Sequence, residues 1–149
     1  SGIEDLFRIQ SKINPLYKTR IKLLGTLARE HIPQYIYNSV VCVLPRPDSI
    51  QARGGFPSKL GEYLASGVPV ITTDVGEIPN YPSTDDVYFI SKENITDDLA
   101  GTLIEIFNNY EKALQVGESG QKKALEWFGL EKNALILKNF IYKVIDVNC

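Results

Sequence analysis

The sequence predicts an α/β fold, a parallel sheet with helices on both faces, and three observations carry that prediction. Apolar runs at residues 40–44, 69–73 and 87–90 are short and continuous rather than alternating, the mark of strands covered on both sides. Between and after them lie stretches whose apolar residues recur at helical spacing. Proline and glycine stand at the junctions, at Pro45, Gly67 and Pro69 among others.

Taken in order, residues 4–17 place Leu6, Ile9, Ile13 and Leu16 at intervals of three and four, a helix that Pro15 can end early. Ile21-Lys22-Leu23-Leu24 reads as a strand stopped by Gly25. Residues 29–38 predict a short helix starting around Pro33, with Tyr35 and Ile36 facing inward. The run 40–44 is a strand ended by Pro45, and residues 46–55 a polar loop. A helix over 57–65 follows, with Gly67 at its left-handed cap position. After the strands at 69–73 and 87–90, Thr96 is expected to cap a helix with Asp97 and Asp98 in its first turn. The inner stripe of that helix is Leu99, Leu103, Ile106 and Tyr110. Helices near 117–127 and 131–147 close the chain, the last with Ala134, Leu137, Ile141, Val144 and Ile145 on one face.

Strands separated by helices imply right-handed crossovers, and ligands of such sheets lie beyond the carboxyl ends of the strands. That rule puts the 46–55 loop, the helix start at Pro57 and the 73–79 loop on one rim.

Composition narrows the functional classes. The chain has 149 residues, 44% apolar and 23% charged, with a net charge of −2, enough for one domain with a real core and no basic field for nucleic acid. Its two cysteines, Cys42 and Cys149, lie far apart without a metal-binding or redox spacing, which favours a reducing compartment. No apolar run approaches the roughly 20 residues that cross a bilayer, and no signal peptide is evident, so a cytoplasmic protein is expected. The sequon Asn94-Ile95-Thr96 is short, and Thr96 has a clearer use as a cap. The chain contains no methionine and starts Ser1-Gly2, which reads as a piece of a longer polypeptide or a chain from which a tag was cut.

The densest chemistry lies at residues 54–71. Gly54 and Gly55 allow a ligand close to the backbone, and Pro57 suits the first helical position. The N–H groups of Ser58, Lys59 and Leu60 would then point out of the helix end and, with its dipole, form an anion site. Lys59 adds a mobile cation, and Ser58 a hydroxyl. Five residues after Pro57, Glu62 can accept two hydrogen bonds from vicinal hydroxyls such as a ribose diol. Taken singly, the glycines are equally a turn feeding a helix, and Glu62 equally a solvated helix glutamate. Together they suit a nucleotide diphosphate.

Residues Phe56-Pro57-Ser58-Lys59-Leu60-Gly61-Glu62-Tyr63-Leu64-Ala65-Ser66-Gly67-Val68-Pro69-Val70-Ile71 resemble the donor-binding segment of GT-B glycosyltransferases of the "glycosyl transferases group 1" kind. Those enzymes carry a pattern close to E-G-F-G-x-x-x-x-E-A-x-A-x-G-x-P-V-[IV], and many bacterial members write it F-P-S-K-x-x-E-Y-x-A-S-G. The flanks are similar too. Ile21-Lys22-Leu23-Leu24-Gly25 is similar to a V-x-F-x-G strand, the segment from Tyr35 to Pro45 to Y-x-x-x-A-D-x-x-x-x-P, and Thr73-Asp74-Val75-Gly76-Glu77-Ile78-Pro79 to S-D-V-G-G-x-P-E. The resemblance covers roughly residues 20–128.

The resemblance implies a Rossmann-like parallel sheet forming the carboxyl-terminal half of a GT-B fold, without its first strands. It implies that one such partial domain spans residues 1–149, in a retaining transferase that moves sugar from a UDP- or GDP-sugar to an acceptor, as in bacterial cell-surface polysaccharide synthesis. Glu62 would hold the ribose, and Ser58, Lys59 and Leu60 the pyrophosphate. Gly55 and Phe56 would lie against the sugar. Apart from the resemblance, Arg46 and Arg53 flank the rim, where they could partly replace lost phosphate contacts or equally be plain surface arginines. No catalytic residue is implied, no metal and no cofactor. The amino-terminal acceptor domain is the expected partner, in the cytoplasm or peripheral to the inner face of the membrane. Gly54 stands where the family's first glutamate does, Val40 where an aspartate does, and Glu77 and Asn80 where a glycine and a glutamate do. These departures leave a rival, a non-catalytic interaction module that kept the fold. Missing first strands also pose a pairing question: either the 21–24 and 40–44 strands pair directly, the preferred reading, or another chain supplies the strands between them.

Three other features suggest little chemistry. His31 is the one histidine and lies away from the rim, so no Ser-His-Asp set forms. Asp85-Asp86 lacks spaced partners for Mg²⁺, and Trp127 and Phe128 are expected to pack the terminal helices onto the sheet.

Overall fold

The structure, a computed structural model, describes residues 12–55 and 57–146. The chain divides into two compact units, Ser1–Tyr35 and Ile36–Cys149. In the first, Asn14 caps a one-turn helix α1 (Pro15–Lys18), its side chain accepting the Leu16 N–H at 3.0 Å. Most of the helix expected over 4–17 lies outside the described residues. Of it Lys12 is described as helical, and the helix has ended by Ile13, ahead of Pro15, which opens a new helix because its fixed φ suits the first turn. The strand expected at 21–24 does not form. Those residues make no ladder, and Ile21, Leu23 and Leu24 are exposed. The expected pairing of 21–24 with 40–44 therefore falls as well. A 3₁₀ turn (Arg29–His31) leads into α2 (Ile32–Tyr37), which starts one residue before Pro33. Of its two expected inward residues, Ile36 packs on the core of the second unit, while Tyr35 is 45% exposed.

The second unit is built on three parallel strands, β1 (Cys42–Leu44), β2 (Val70–Thr73) and β3 (Tyr88–Ile90), in the order β1-β2-β3. Cys42 pairs with Val70, and Ile71 with Tyr88. Every residue of the central strand β2 is buried, as its continuous apolar run predicts. β1 departs from expectation. Only Cys42 of that strand is buried and Val40 is exposed, because among the described residues β1 pairs on one side only. Burial holds the Cys42 thiol un-ionised, its pKa pushed up to about 11.

Alternation along β2 divides the core. Val70 faces a cluster with Leu60 and Leu64 of α4 (Ser58–Ala65) and Ala124 of α6 (Tyr110–Phe128). Ile71 faces the other way, onto Ile106 of α5 (Ile95–Asn108) and Ala113. Full burial of a side chain such as Ile71 contributes roughly 2–3 kcal/mol. Helices on both faces of a parallel sheet thus match the predicted class.

Local details differ in instructive ways. Pro57 is the cap before α4, not its first residue: it is extended (φ −76°, ψ 108°) and its carbonyl accepts the Leu60 N–H at 2.9 Å. Gly67 does follow the helix with φ +75°. α5 starts at Ile95, so Thr96 lies in its first turn and Asn94 takes the cap position. The stripe Leu99, Leu103, Ile106 and Tyr110 faces the core as expected, although a new helix begins at Tyr110, capped by Asn109. That helix starts seven residues earlier than the periodicity suggested. α7 (Leu130–Asp146) forms, but its expected inner face is not buried: Leu137, Ile141, Val144 and Ile145 are all exposed. Trp127 and Phe128 pack on Tyr81 rather than on the sheet, with ring centroids 5.7 and 5.9 Å from it.

One buried carboxylate ties a loop to a helix. Asp86 accepts hydrogen bonds from the Ser83 N–H (2.9 Å), the Ser83 hydroxyl (2.8 Å) and the Ser119 hydroxyl of α6 (2.7 Å). Burial alone would raise its pKa, but these donors and the Lys123 charge hold it below the ordinary aspartate value. A lowered folded pKa gives stability that is present above the ordinary aspartate pKa and is lost as pH falls through the lowered value. Asp86→Ala is expected to cost about 2 kcal/mol by orphaning three donors. In urea titrations the deficit should be full at pH 7 and shrink at the acid end; an equal deficit at both ends would contradict this account.

Candidate functional site

The rim beyond the sheet's carboxyl ends is assembled by hydrogen bonds between segments distant in sequence. After β1, the Arg46 N–H donates to Thr73 Oγ1 (3.0 Å), and that hydroxyl donates to the Arg46 carbonyl (2.8 Å). Thr72 Oγ1 donates to the Leu44 carbonyl at 3.2 Å. The first and second strands are thereby locked at the end where the loops leave the sheet.

The expected polar loop 46–55 contains a helical turn, α3 (Ile50–Arg53), capped by Ser49, whose Oγ accepts the Ala52 N–H at 3.1 Å. Arg53 donates from Nε and Nη2 to both oxygens of Asp48, at 2.6 and 2.8 Å, and Lys92 approaches the same carboxylate at 3.5 Å. The Arg53 hydrogen bond, ahead of smaller charge effects, lowers the Asp48 pKa to about 2. The segment after β2 turns at Gly76, which lies against the backbone of Ala52 and Arg53. In the following turn Asn80 donates to Glu77 at 2.8 Å.

Helix α4 starts from this rim. Leu60 and Leu64, four apart, face the core, which turns Ser58, Lys59 and Glu62 outward together on the exposed side. Leu60 differs from expectation in two respects. Its side chain is fully buried, and its N–H is bonded to the Pro57 carbonyl, leaving Ser58 and Lys59 as the outward amides of the helix end. Gly55 is half-buried, and Phe56 lies outside the described residues. Gly54 ends α3 with φ −90°, a conformation open to any residue, and a Cβ there meets nothing nearer than the Ile50 carbonyl oxygen at 3.4 Å. A glutamate could occupy that position, so the glycine is a choice of sequence, not of backbone. His31 is exposed in the first unit. Sequence reasoning missed Asp48 and Lys92. The rule that loops after strands line the rim could have found Lys92, two residues beyond β3; the pairing of Asp48 with Arg53 had no local signature.

A parallel sheet covered on both faces, with a helix amino end and an exposed carboxylate at its carboxyl rim, is the Rossmann-like half-domain of a GT-B glycosyltransferase. The chain belongs to the family "Glycosyl transferases group 1", whose model matches residues 4–109. Its fold is similar to a sucrose-phosphate synthase from Thermosynechococcus elongatus, with a TM-score of 0.79 and 20% identity over 97% of this chain and 35% of that one. It is also similar to Anabaena HepE, solved in complex with UDP, with a TM-score of 0.71 and 16% identity over 94% of this chain and 36% of that one. The chain thus spans about a third of the length of these solved structures. No curated protein matches the sequence. Among the described residues no helix is long and apolar enough to cross a membrane.

Proposed function

We propose that this chain is the donor-binding part of a retaining glycosyltransferase that acts in bacterial cell-surface polysaccharide synthesis in the cytoplasm. The observation that carries the proposal is the grouping of Ser58, Lys59 and Glu62 on one exposed face of α4 at the carboxyl rim. Glu62 holds the ribose hydroxyls of a UDP- or GDP-sugar, and the Ser58 and Lys59 amides receive the diphosphate. Gly55 and Phe56 border the sugar. As the glycosidic bond breaks, helix-end N–H groups and nearby cations stabilise the charge growing on the leaving diphosphate. The acceptor is bound by an amino-terminal domain of the same polypeptide, so residues 1–149 alone bind nucleotide weakly and transfer nothing. UDP in the HepE structure supports a nucleotide as the ligand class.

Calorimetric titration with UDP, GDP and their sugars tests this reading. Glu62→Ala should weaken the preferred nucleotide by about 10–100-fold, the worth of hydrogen bonds to a charged group. Gly54, where the family's first glutamate is absent, favours a second reading, an interaction module without catalysis. Absence of binding at millimolar nucleotide would select it.

A further inference from the structure

We infer that Arg46, not Arg53, is the arginine that grips the phosphates of a nucleotide on this rim, an inference that rests on the donor-binding reading above. The two arginines flank the same rim, yet their states are opposite. Arg53 has its fork filled by both oxygens of Asp48, a carboxylate that Lys92 also approaches. Arg46 forms no ion pair among the described residues, and its Nη1 is buried without a hydrogen-bond partner. It is the one buried side-chain polar atom so orphaned among the described residues.

Arg46 is only partly buried as a residue, but a donor atom such as its Nη1, shut off from water without an acceptor, is costly. Such a group persists where a ligand completes it. The surroundings of Arg46 fit that use. Its backbone is held in both directions by the Thr73 hydroxyl, which fixes the root of the side chain at the carboxyl end of β1. That is the end from which α3 and the amino terminus of α4 lead off, and to which the backbone turn at Gly76 is packed. A phosphate is the acceptor that a planar arginine fork binds best, by two parallel charge-assisted hydrogen bonds. The groups now covering Nη1 part when the ligand enters, and the orphaned donor is satisfied only in the bound state.

The test is titration of the chain with UDP, inorganic pyrophosphate and uridine, in wild type, Arg46→Met, Arg53→Gln and Glu62→Ala, with thermal denaturation of each apo protein. If GDP is the tighter nucleotide, GDP and guanosine replace UDP and uridine. Arg46→Met should weaken UDP and pyrophosphate by at least about tenfold, more than Arg53→Gln does, while uridine changes less than about twofold. Its apo Tm should equal or exceed that of wild type, because the orphaned donor has been removed. Glu62→Ala should show the converse pattern, weakening UDP and uridine but not pyrophosphate. If Arg46→Met leaves UDP and pyrophosphate unchanged while Glu62→Ala still weakens UDP, the inference fails and the donor site stands. A lowered Tm with equal losses for all three ligands assigns Arg46 a structural role and overturns the inference. If wild type binds none of the three, inference and donor reading fall together. Should Arg46→Met not fold, Arg46→Lys keeps the charge without the fork, and wild-type affinity for pyrophosphate in that variant refutes the gripping role.

Discussion

Gly117→Val is expected to destabilise the second unit by at least ~3 kcal/mol, a loss of roughly 6–12 °C in Tm for a chain of this size. Helix α6 packs on α4 and the turn that follows it through Gly117, Gly120 and Ala124, a buried stripe of small residues. A Cβ at Gly117 would lie 2.3 Å from the Gly67 carbonyl oxygen and 3.0 Å from the Pro69 nitrogen. Neither atom can yield easily. Gly67 is the left-handed residue after the Ser66 cap of α4, with its N–H on the Leu64 carbonyl, and the Pro69 carbonyl accepts the Cys42 N–H at 2.9 Å. Gln121, one turn along α6, donates to the Ala65 carbonyl at 2.9 Å and would be pulled away as the helix shifts. Thermal or urea denaturation reads the effect, and a Tm within 2 °C or so of wild type would show that α6 is not seated this closely.

The second large effect is expected at the rim. Gly76 has φ +59°, and a Cβ there would stand 2.2 Å from the Ala52 carbonyl oxygen. Gly76→Val therefore combines a left-handed backbone, which costs a residue with a Cβ about 1–2 kcal/mol, with a clash against α3. Relief requires the 73–79 loop and α3 to separate. Because the Arg53–Asp48 clasp and the approach to α4 follow from α3, nucleotide affinity should fall by at least about tenfold while most of the sheet remains folded. Titration with UDP or GDP beside far-UV circular dichroism separates the two effects. Full affinity in Gly76→Val would mean that the packing of these loops does not shape the site.

The parts legible in the sequence were those whose signals are local. Strand β2 was evident because a continuous apolar run between Gly67 and the polar residues after Thr73 has few other uses. Glu62 was singled out by its spacing after Pro57, but only the tertiary structure turned Leu60 and Leu64 inward and left Ser58, Lys59 and Glu62 outward together. The segment 21–24 misled because an apolar tetrapeptide carries no information about whether a partner strand is available. The α7 stripe misled for a similar reason. Ala134, Leu137, Ile141, Val144 and Ile145 have the period of a buried face, but periodicity does not say what covers that face, and all five are exposed here.

Fold class, the central strand, the helix that bears Glu62 and the membership of a transferase family were thus present in the order of residues, because each depends on spacing within about a dozen positions. The choice between Arg46 and Arg53 was not. It rests on Thr73 lying 27 residues beyond Arg46, and on Asp48 folding back over a capped turn to occupy the fork of Arg53. Hydrogen bonding is satisfied in three dimensions, so two arginines that look alike in the chain end as one spent and one unspent donor.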